Sequence, residues 1–260
     1  MPRRRDADVA IRATDLSLLR ASRGGDVRVV DGVSFVLPHG ATLAVMGPTG
    51  AGKSSLAAVL AGTEASGVAV VGGDAWVGGI PVRRPGRARR ELTYFTGYLE
   101  QRAGASLPSR MTVGEVIGEP ITSRDRRVNQ RALAVRVATL LDELMLPLGA
   151  SAKYPYELSA GMRQRVAFAR TLVLEPRVLI ADDPFANLDV EVRRAARDAI
   201  IRRRARGMST LIVTNEADVV RELDADVLVL RAGHTVAYGR GTEHLLWTPS
   251  SSADHRLVAS

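Results

Sequence analysis

The sequence predicts an α/β fold with a parallel sheet at its centre, an antiparallel β subdomain and an inserted helical subdomain. Three observations predict it. An apolar run at 41–46 leads through a glycine-rich bend into a helical stretch at 55–60. After residue 159, short apolar runs alternate with segments of helical periodicity, the pattern of parallel strands joined by crossover helices. Between about 102 and 157 strand signals vanish and apolar residues recur at helical spacing instead. The expected division is therefore a core from 1–101 and 159–260, with 102–158 as the helical insert.

Taken in order, Val9 to Ala13 and Val33 to Leu37 alternate apolar and polar residues and read as strands of an antiparallel opening, separated by a polar turn at Ser22 to Asp26 and stopped by Pro38-His39-Gly40. The strand 41–46 and its helix follow, then the glycine-punctuated strand 67–73. Residues 78–90, rich in proline, glycine and arginine, predict a surface connection, and Leu92 to Leu99 predicts a further strand ending at Gln101. In the insert, 112–118 and 130–146 read as helices, the second through Leu133, Val137, Leu140, Leu141 and Leu144, with Pro120 and Pro147 as stops. Beyond it come a helix at 160–174, the strand Val178 to Asp182, a helix at 190–204 and the strand Thr210 to Thr214. A hairpin of 226–230 and 235–238, joined through Ala232-Gly233, closes the sheet.

Composition narrows the function. A chain of 260 residues that is 46% hydrophobic can bury a large core without staples, and it has no cysteine, so neither a disulfide framework nor a thiolate metal site exists. No window approaches the 18 or so apolar residues of a membrane span, and no apolar segment follows Arg3, Arg4 and Arg5, so a chain without its own span or leader is expected. The net charge of +8 is almost all arginine, since Lys53 and Lys153 are the only lysines. Arginine clusters at 83–90, 124–127 and 202–206 read as solvated surface, because they are scattered and aromatics make up only 4% of the chain. His39, His234, His244 and His255 show no metal-ligand spacing, and Trp76 and Trp247 read as packing residues.

The chemistry concentrates in two stretches. Gly47-Pro48-Thr49-Gly50-Ala51-Gly52-Lys53-Ser54, with Ser55 after it, fits the phosphate-loop pattern in the required context of a strand before and a helix behind. Its glycines let successive N–H groups face phosphate oxygens, and the helix turns its positive end to the same place. Lys53 is expected to reach the β- and γ-phosphates, and Ser54 to ligate magnesium. The run Val178 to Ala181 ends in Asp182-Asp183. Asp182, at the carboxyl end of a buried strand, is expected to bind the magnesium. Adjacent residues on a strand face opposite ways, which frees Asp183 to polarise an attacking water as general base.

A third stretch carries a family resemblance. Leu158-Ser159-Ala160-Gly161-Met162-Arg163-Gln164-Arg165 resembles the signature motif of ATP-binding-cassette (ABC) ATPases, a branch of the P-loop nucleoside triphosphatases, and it stands shortly before the second acidic motif as the family requires. Gln101 matches the family's glutamine loop, which senses magnesium and the attacking water, and Asn187-Leu188-Asp189 resembles its D-loop. The resemblance implies bound ATP and magnesium and a head-to-tail pair, in which Ser159 and Gly161 close on the γ-phosphate held by a second ATPase subunit. The phrases 30–35, 110–120 and 154–159, with Thr242 to Leu246 and Pro249, are similar to the oligopeptide and dipeptide importer ATPases. That similarity implies transmembrane permease subunits, an extracytoplasmic solute-binding protein and a place on the cytoplasmic face of the membrane.

Departures from the family pattern are as informative. Asp183 replaces the usual glutamate and loses roughly 1.5 Å of reach. Asn215 replaces the switch histidine and cannot carry charge. Arg20 stands near the place of the adenine-stacking aromatic, where a guanidinium can stack in its stead, and Ala160 and Met162 alter the signature. The expected protein is an importer's ATP-binding subunit whose own site hydrolyses slowly and which lends its signature to a competent partner. The alternative is a regulatory or non-transport cassette protein, possibly one acting on nucleic acid.

Overall fold

The computed structural model describes residues 9–22, 25–63, 67–83, 86–186 and 188–247. Arg3, Arg4, Arg5, Asn187, Pro249 and His255 lie outside them. Two sheets organise the fold. The larger has the order β11-β10-β9-β3-β8-β7-β6, built from β3 (Thr42–Met46), β6 (Thr96–Leu99), β7 (Val178–Asp182), β8 (Ser209–Val213), β9 (Asp226–Arg231), β10 (His234–Arg240) and β11 (His244–Trp247). Strands β9, β3, β8, β7 and β6 run parallel, and β10 and β11 close one edge antiparallel. The apolar runs expected as strands at 178–182 and 210–214 form β7 and β8, the second starting one residue earlier, and both strands are buried along their whole length, as parallel strands covered on both faces must be.

The smaller sheet is antiparallel in the order β2-β1-β4-β5, from β1 (Val9–Arg20), β2 (Val27–Pro38), β4 (Val68–Val77) and β5 (Ile80–Pro81). Its alternation is not continuous: the β1–β2 register shifts between Ala13 and Leu16, where Asp15 takes a left-handed φ of 51°. This bulge broke the period-2 pattern, so the sequence revealed only residues 9–13 of a strand that runs to Arg20.

Helix α1 (Lys53–Leu60) follows the glycine bend and packs with the antiparallel sheet in one core, through Leu56, Leu60, Ile11, Leu16, Leu18 and Val33. A second core runs from the other sheet face to the helices of 113–143. Ala44, Leu179 and Ile212 join through Phe168 and Leu172 of α5 (Ala160–Leu172) to Val116 and Ile117 of α3 (Val113–Thr122) and Leu140 and Leu141 of α4 (Gln130–Glu143). Thr112 caps α3 in a full capping box with Glu115, whose carboxyl these bonds hold below its ordinary range. Asn129, Ser159 and Asp189 cap α4, α5 and α6 (Val190–Arg204). Pro120 lies inside α3 and does not stop it, because the helix continues to Thr122. Helix α7 (Ala217–Glu222), which the sequence reading left unassigned, lies between β8 and β9.

The segment before β6 departs most from the expectation. Residues 87–95, expected as surface connection and then strand, form helix α2 (Arg87–Phe95), and the strand shrinks to Thr96–Leu99. Leu92 is fully buried, against the turn at Gly62 that ends α1. That single contact, with good helix formers around it, overrides the β-branched and aromatic bias of Thr93, Tyr94 and Phe95. Trp247 also departs from its expected packing role: it is exposed on the edge strand β11 beside Leu246, whereas Trp76 is half-buried on β4.

Candidate functional site

The bend at 47–52 is shaped by three glycines, two of them sterically obligatory. A Cβ at Gly47 (φ 139°) meets the Leu230 carbonyl oxygen at 2.0 Å, and one at Gly52 (φ 99°) meets the Val29 carbonyl oxygen at 2.1 Å. Gly50 (φ 82°) faces open space and is required by its backbone alone. The loop is thus wedged between β9 and β2, with the start of α1 directly behind it. Within α1 the N–H of Leu56 bonds to the Gly52 carbonyl at 2.9 Å, which leaves the amides before it as the unsatisfied donors of a helix start.

A cavity of about 350 Å³ opens in front of the loop, lined by Thr49 to Ser55, Gln101, Asp182, Asp183 and Asn215 and also by Arg20, Val29, Val213, Thr214 and Glu216. Residues expected from distant parts of the sequence therefore meet in one place. Gly47 and Pro48 form the back of the loop: both carbonyls accept from Lys53 Nζ, at 2.6 and 2.9 Å, and the Gly47 N–H donates to Asn215 Oδ1 at 3.0 Å. Burial lowers the Lys53 ammonium from its ordinary range, while Asp182 and Asp183 pull it back up.

Asp182 is 2% exposed, and burial raises its carboxyl above the usual range against the opposing Ser54 hydrogen bond. A buried carboxylate with a hydroxyl beside it and no fixed cation bonded to it is suited to a divalent cation. Among the described residues there is no cluster of three His, Cys, Asp or Glu side chains. Magnesium takes one or two protein ligands and completes its shell with phosphate and water. Ser54, Asp182 and Gln101 are the residues that would hold it.

Asp183 does not face away from Asp182 as strand alternation implied. Strand β7 ends at Asp182, and Asp183 enters a left-handed conformation (φ 52°) fixed by its N–H bond to the Val213 carbonyl at 2.9 Å. That turn places both carboxylates in the same cavity. Burial and the neighbouring Glu216 raise the Asp183 carboxyl, with Arg193 and Lys53 opposing. Glu216, absent from the sequence-derived set, is itself paired with Arg193 at 2.5 Å. The only hint of it in the sequence was its place one residue after Asn215.

Ser159 and Gly161 are not part of this cavity. Ser159 is exposed at the start of α5, where its hydroxyl accepts from the Met162 N–H at 3.2 Å. Gln164, on the same helix, is buried and accepts from the Gly104 N–H at 3.1 Å, which ties the signature helix to the segment just after Gln101. Asp189 of the D-loop stretch bonds the Val192 N–H at 2.9 Å.

A parallel sheet, a phosphate loop at the carboxyl end of β3 and an aspartate at the end of β7, one strand removed from it across β8, define a nucleoside-triphosphate-binding cassette. Comparison with known proteins places it further. A family model described as ABC transporter matches residues 30–186, so the chain belongs to that family. It is 32% identical to the oligopeptide transport ATP-binding protein OppD of Mycobacterium tuberculosis over 98% of this chain and 42% of that protein. It is likewise 32% identical to OppF of Salmonella typhimurium over 82% of this chain and 63% of that protein, and to an Fe(3+) ions import ATP-binding protein of Pseudomonas fluorescens over 89% and 62%. The chain thus spans about two fifths to just under two thirds of the length of these relatives. The fold is that of the ATP-binding cassette MJ0796, solved as a dimer with ADP and Pi, at a TM-score of 0.77 and 20% identity over 93% of this chain and 100% of that one.

Proposed function

We propose that this chain is the ATP-binding subunit of a solute importer, peptide-type in its cargo, and that its own site binds magnesium ATP well and hydrolyses it slowly. The observation that carries the second half is the pair Asp183 and Asn215. The aspartate carboxylate is one methylene short for a base, and the amide at 215 is engaged by the loop's Gly47 N–H. When bound, magnesium would neutralise the phosphate charge and fix the triphosphate. The chain's own contribution is to grip the phosphates with the loop amides and Lys53, hold the cation at Asp182 and Ser54, and accept a water proton at Asp183. Its raised carboxyl suits a base, and its short reach limits it.

Ser159 and Gly161, outside the chain's own cavity, are free to complete the site of a second, different ATPase subunit. Residues 102–158 would act as the helical unit that passes closure through Gln101 and the segment 104–120 to permease subunits at the cytoplasmic face of a membrane, with a solute-binding protein on the other side. Peptide cargo is supported by the oligopeptide relatives and by the phrases at 30–35, 110–120 and 154–159; iron and sulfate importers also match the chain. A nucleic-acid partner is less favoured, because Arg202 and Arg203 of the basic cluster are both engaged by the Glu143 carboxylate.

The test is restoration. Asp183→Glu with Asn215→His is expected to raise ATP turnover at least about tenfold at unchanged ATP affinity. Full-rate turnover by the unaltered chain alone, or with a partner lacking its own catalytic glutamate, overturns the asymmetric reading. Affinity for magnesium ATP and partner association that survive Lys53→Ala overturn the nucleotide site itself.

A further inference from the structure

The cavity contains a cation that the phosphate loop does not require. Arg20 is the last residue of β1, and its backbone is fixed between two neighbours, in register with Val27 on one side and Val68 on the other. From there its Nη2 donates to the hydroxyl of Ser55 at 2.6 Å. Ser55 is buried in the first turn of α1, next to Ser54. The guanidinium is thereby pinned at the helix start, where the unsatisfied amides converge. Among the described residues, no carboxylate pairs with Arg20 and Ser55 is its sole side-chain hydrogen-bond partner, so the rest of the planar donor fork is unspent. A fork of this kind matches the oxygens of a phosphate.

Among the described residues that line the cavity, none offers an aromatic face for stacking on a base. Of its two amides, Gln101 is expected at the metal, and Asn215 has its oxygen bonded by the Gly47 N–H and keeps an amino group that can donate to a phosphate oxygen. The apolar lining comes from Val29, Ala51 and Val213. A ligand held here gains its energy at the phosphates.

We propose that Arg20 is a second phosphate cation beside Lys53, and that the site selects a magnesium-bound triphosphate with little regard to the base it carries. This rests on the reading of the cavity as a nucleotide site and specifies what that site recognises.

The experiment is calorimetric titration of the full chain, in magnesium, with ATP, GTP, CTP and inorganic tripolyphosphate, for the unaltered protein and for Arg20→Ala, Arg20→Lys and Lys53→Ala. The expected result is that the three nucleotides bind within about threefold of one another and tripolyphosphate binds measurably. Arg20→Ala should weaken all four by roughly tenfold, and Arg20→Lys should recover most of the loss. The proposal is overturned if Arg20→Ala weakens the nucleotides and spares tripolyphosphate, which puts the guanidinium on the base. It is equally overturned if Arg20→Ala changes nothing, or if the unaltered chain prefers ATP to CTP by more than about thirtyfold. Lys53→Ala separates the two levels: loss of all binding there with no effect of Arg20→Ala sinks only the role of Arg20, whereas binding that survives Lys53→Ala sinks the nucleotide site and the proposal together.

Discussion

At Asp182 the requirements of folding and of binding oppose each other. Its carboxyl is raised by burial, so the native state holds its proton more tightly than the unfolded chain does. Stability contributed by this residue is therefore full below the unfolded value and declines as pH rises through the native one. At neutral pH the ionised group is a cost that a bound cation offsets. Asp182→Asn is expected to raise the melting temperature of the nucleotide-free chain, by a few degrees, and to abolish the further rise that magnesium ATP produces, both readable by differential scanning fluorimetry. The glycines give a second residue-scale prediction. Gly52→Ala forces a Cβ to 2.1 Å from a carbonyl oxygen of β2 and is expected to cost more than about 3 kcal/mol in urea unfolding, or to prevent folding. Gly50→Ala, strained at φ 82° but sterically open, should cost only about 1–2 kcal/mol. The sequence pattern names all three glycines alike, and only the neighbouring strands, Val29 on β2 and Leu230 on β9, separate them.

Among the elements, α4 and α6 are joined by a carboxylate that two arginines share. Glu143, at the end of α4, receives Arg203 at 2.8 Å through both carboxylate oxygens and Arg202 at 2.7 Å. Burial alone would raise its carboxyl, and the two guanidinium groups outweigh that and hold it below the ordinary range. This stabilisation is present above the unfolded carboxylate range near 4.5 and is lost as pH falls through the depressed native value. Glu143→Gln is expected to lower stability by roughly 2 kcal/mol at pH 7, discounted for the exposed Arg202, and to flatten the acid limb of the stability profile in this pH window. Thr112→Ala, which removes the capping box of α3, should cost about 1 kcal/mol by the same unfolding measurement. Where the sequence was legible at this scale, the reason was periodicity joined to a cap or a stop, as at 130–143 and 190–204. Helix α2 was illegible because its one buried anchor, Leu92, finds its partner at Gly62, thirty residues back, and no local window contains that contact. The capture of Asp183 by Val213 was hidden for the same reason: a left-handed aspartate after a strand is a tertiary event, whereas strand alternation is a local rule.

Across the whole molecule, the phosphate loop, the acidic strand end and Gln101 were legible because each motif carries its own chemistry and the sheet order brings their ends together. Arg20 and Glu216 complete the cavity from elements whose motifs say nothing of it. The bond from the Gly47 amide to Asn215 has a consequence for any two-site assembly this chain enters. A primary carboxamide gains or loses no proton between about pH 6 and 8, the interval in which an imidazole changes charge. Mild acidification should therefore leave the charge at residue 215 unchanged, so an acid response of the kind an imidazole confers at this position would originate in the companion subunit.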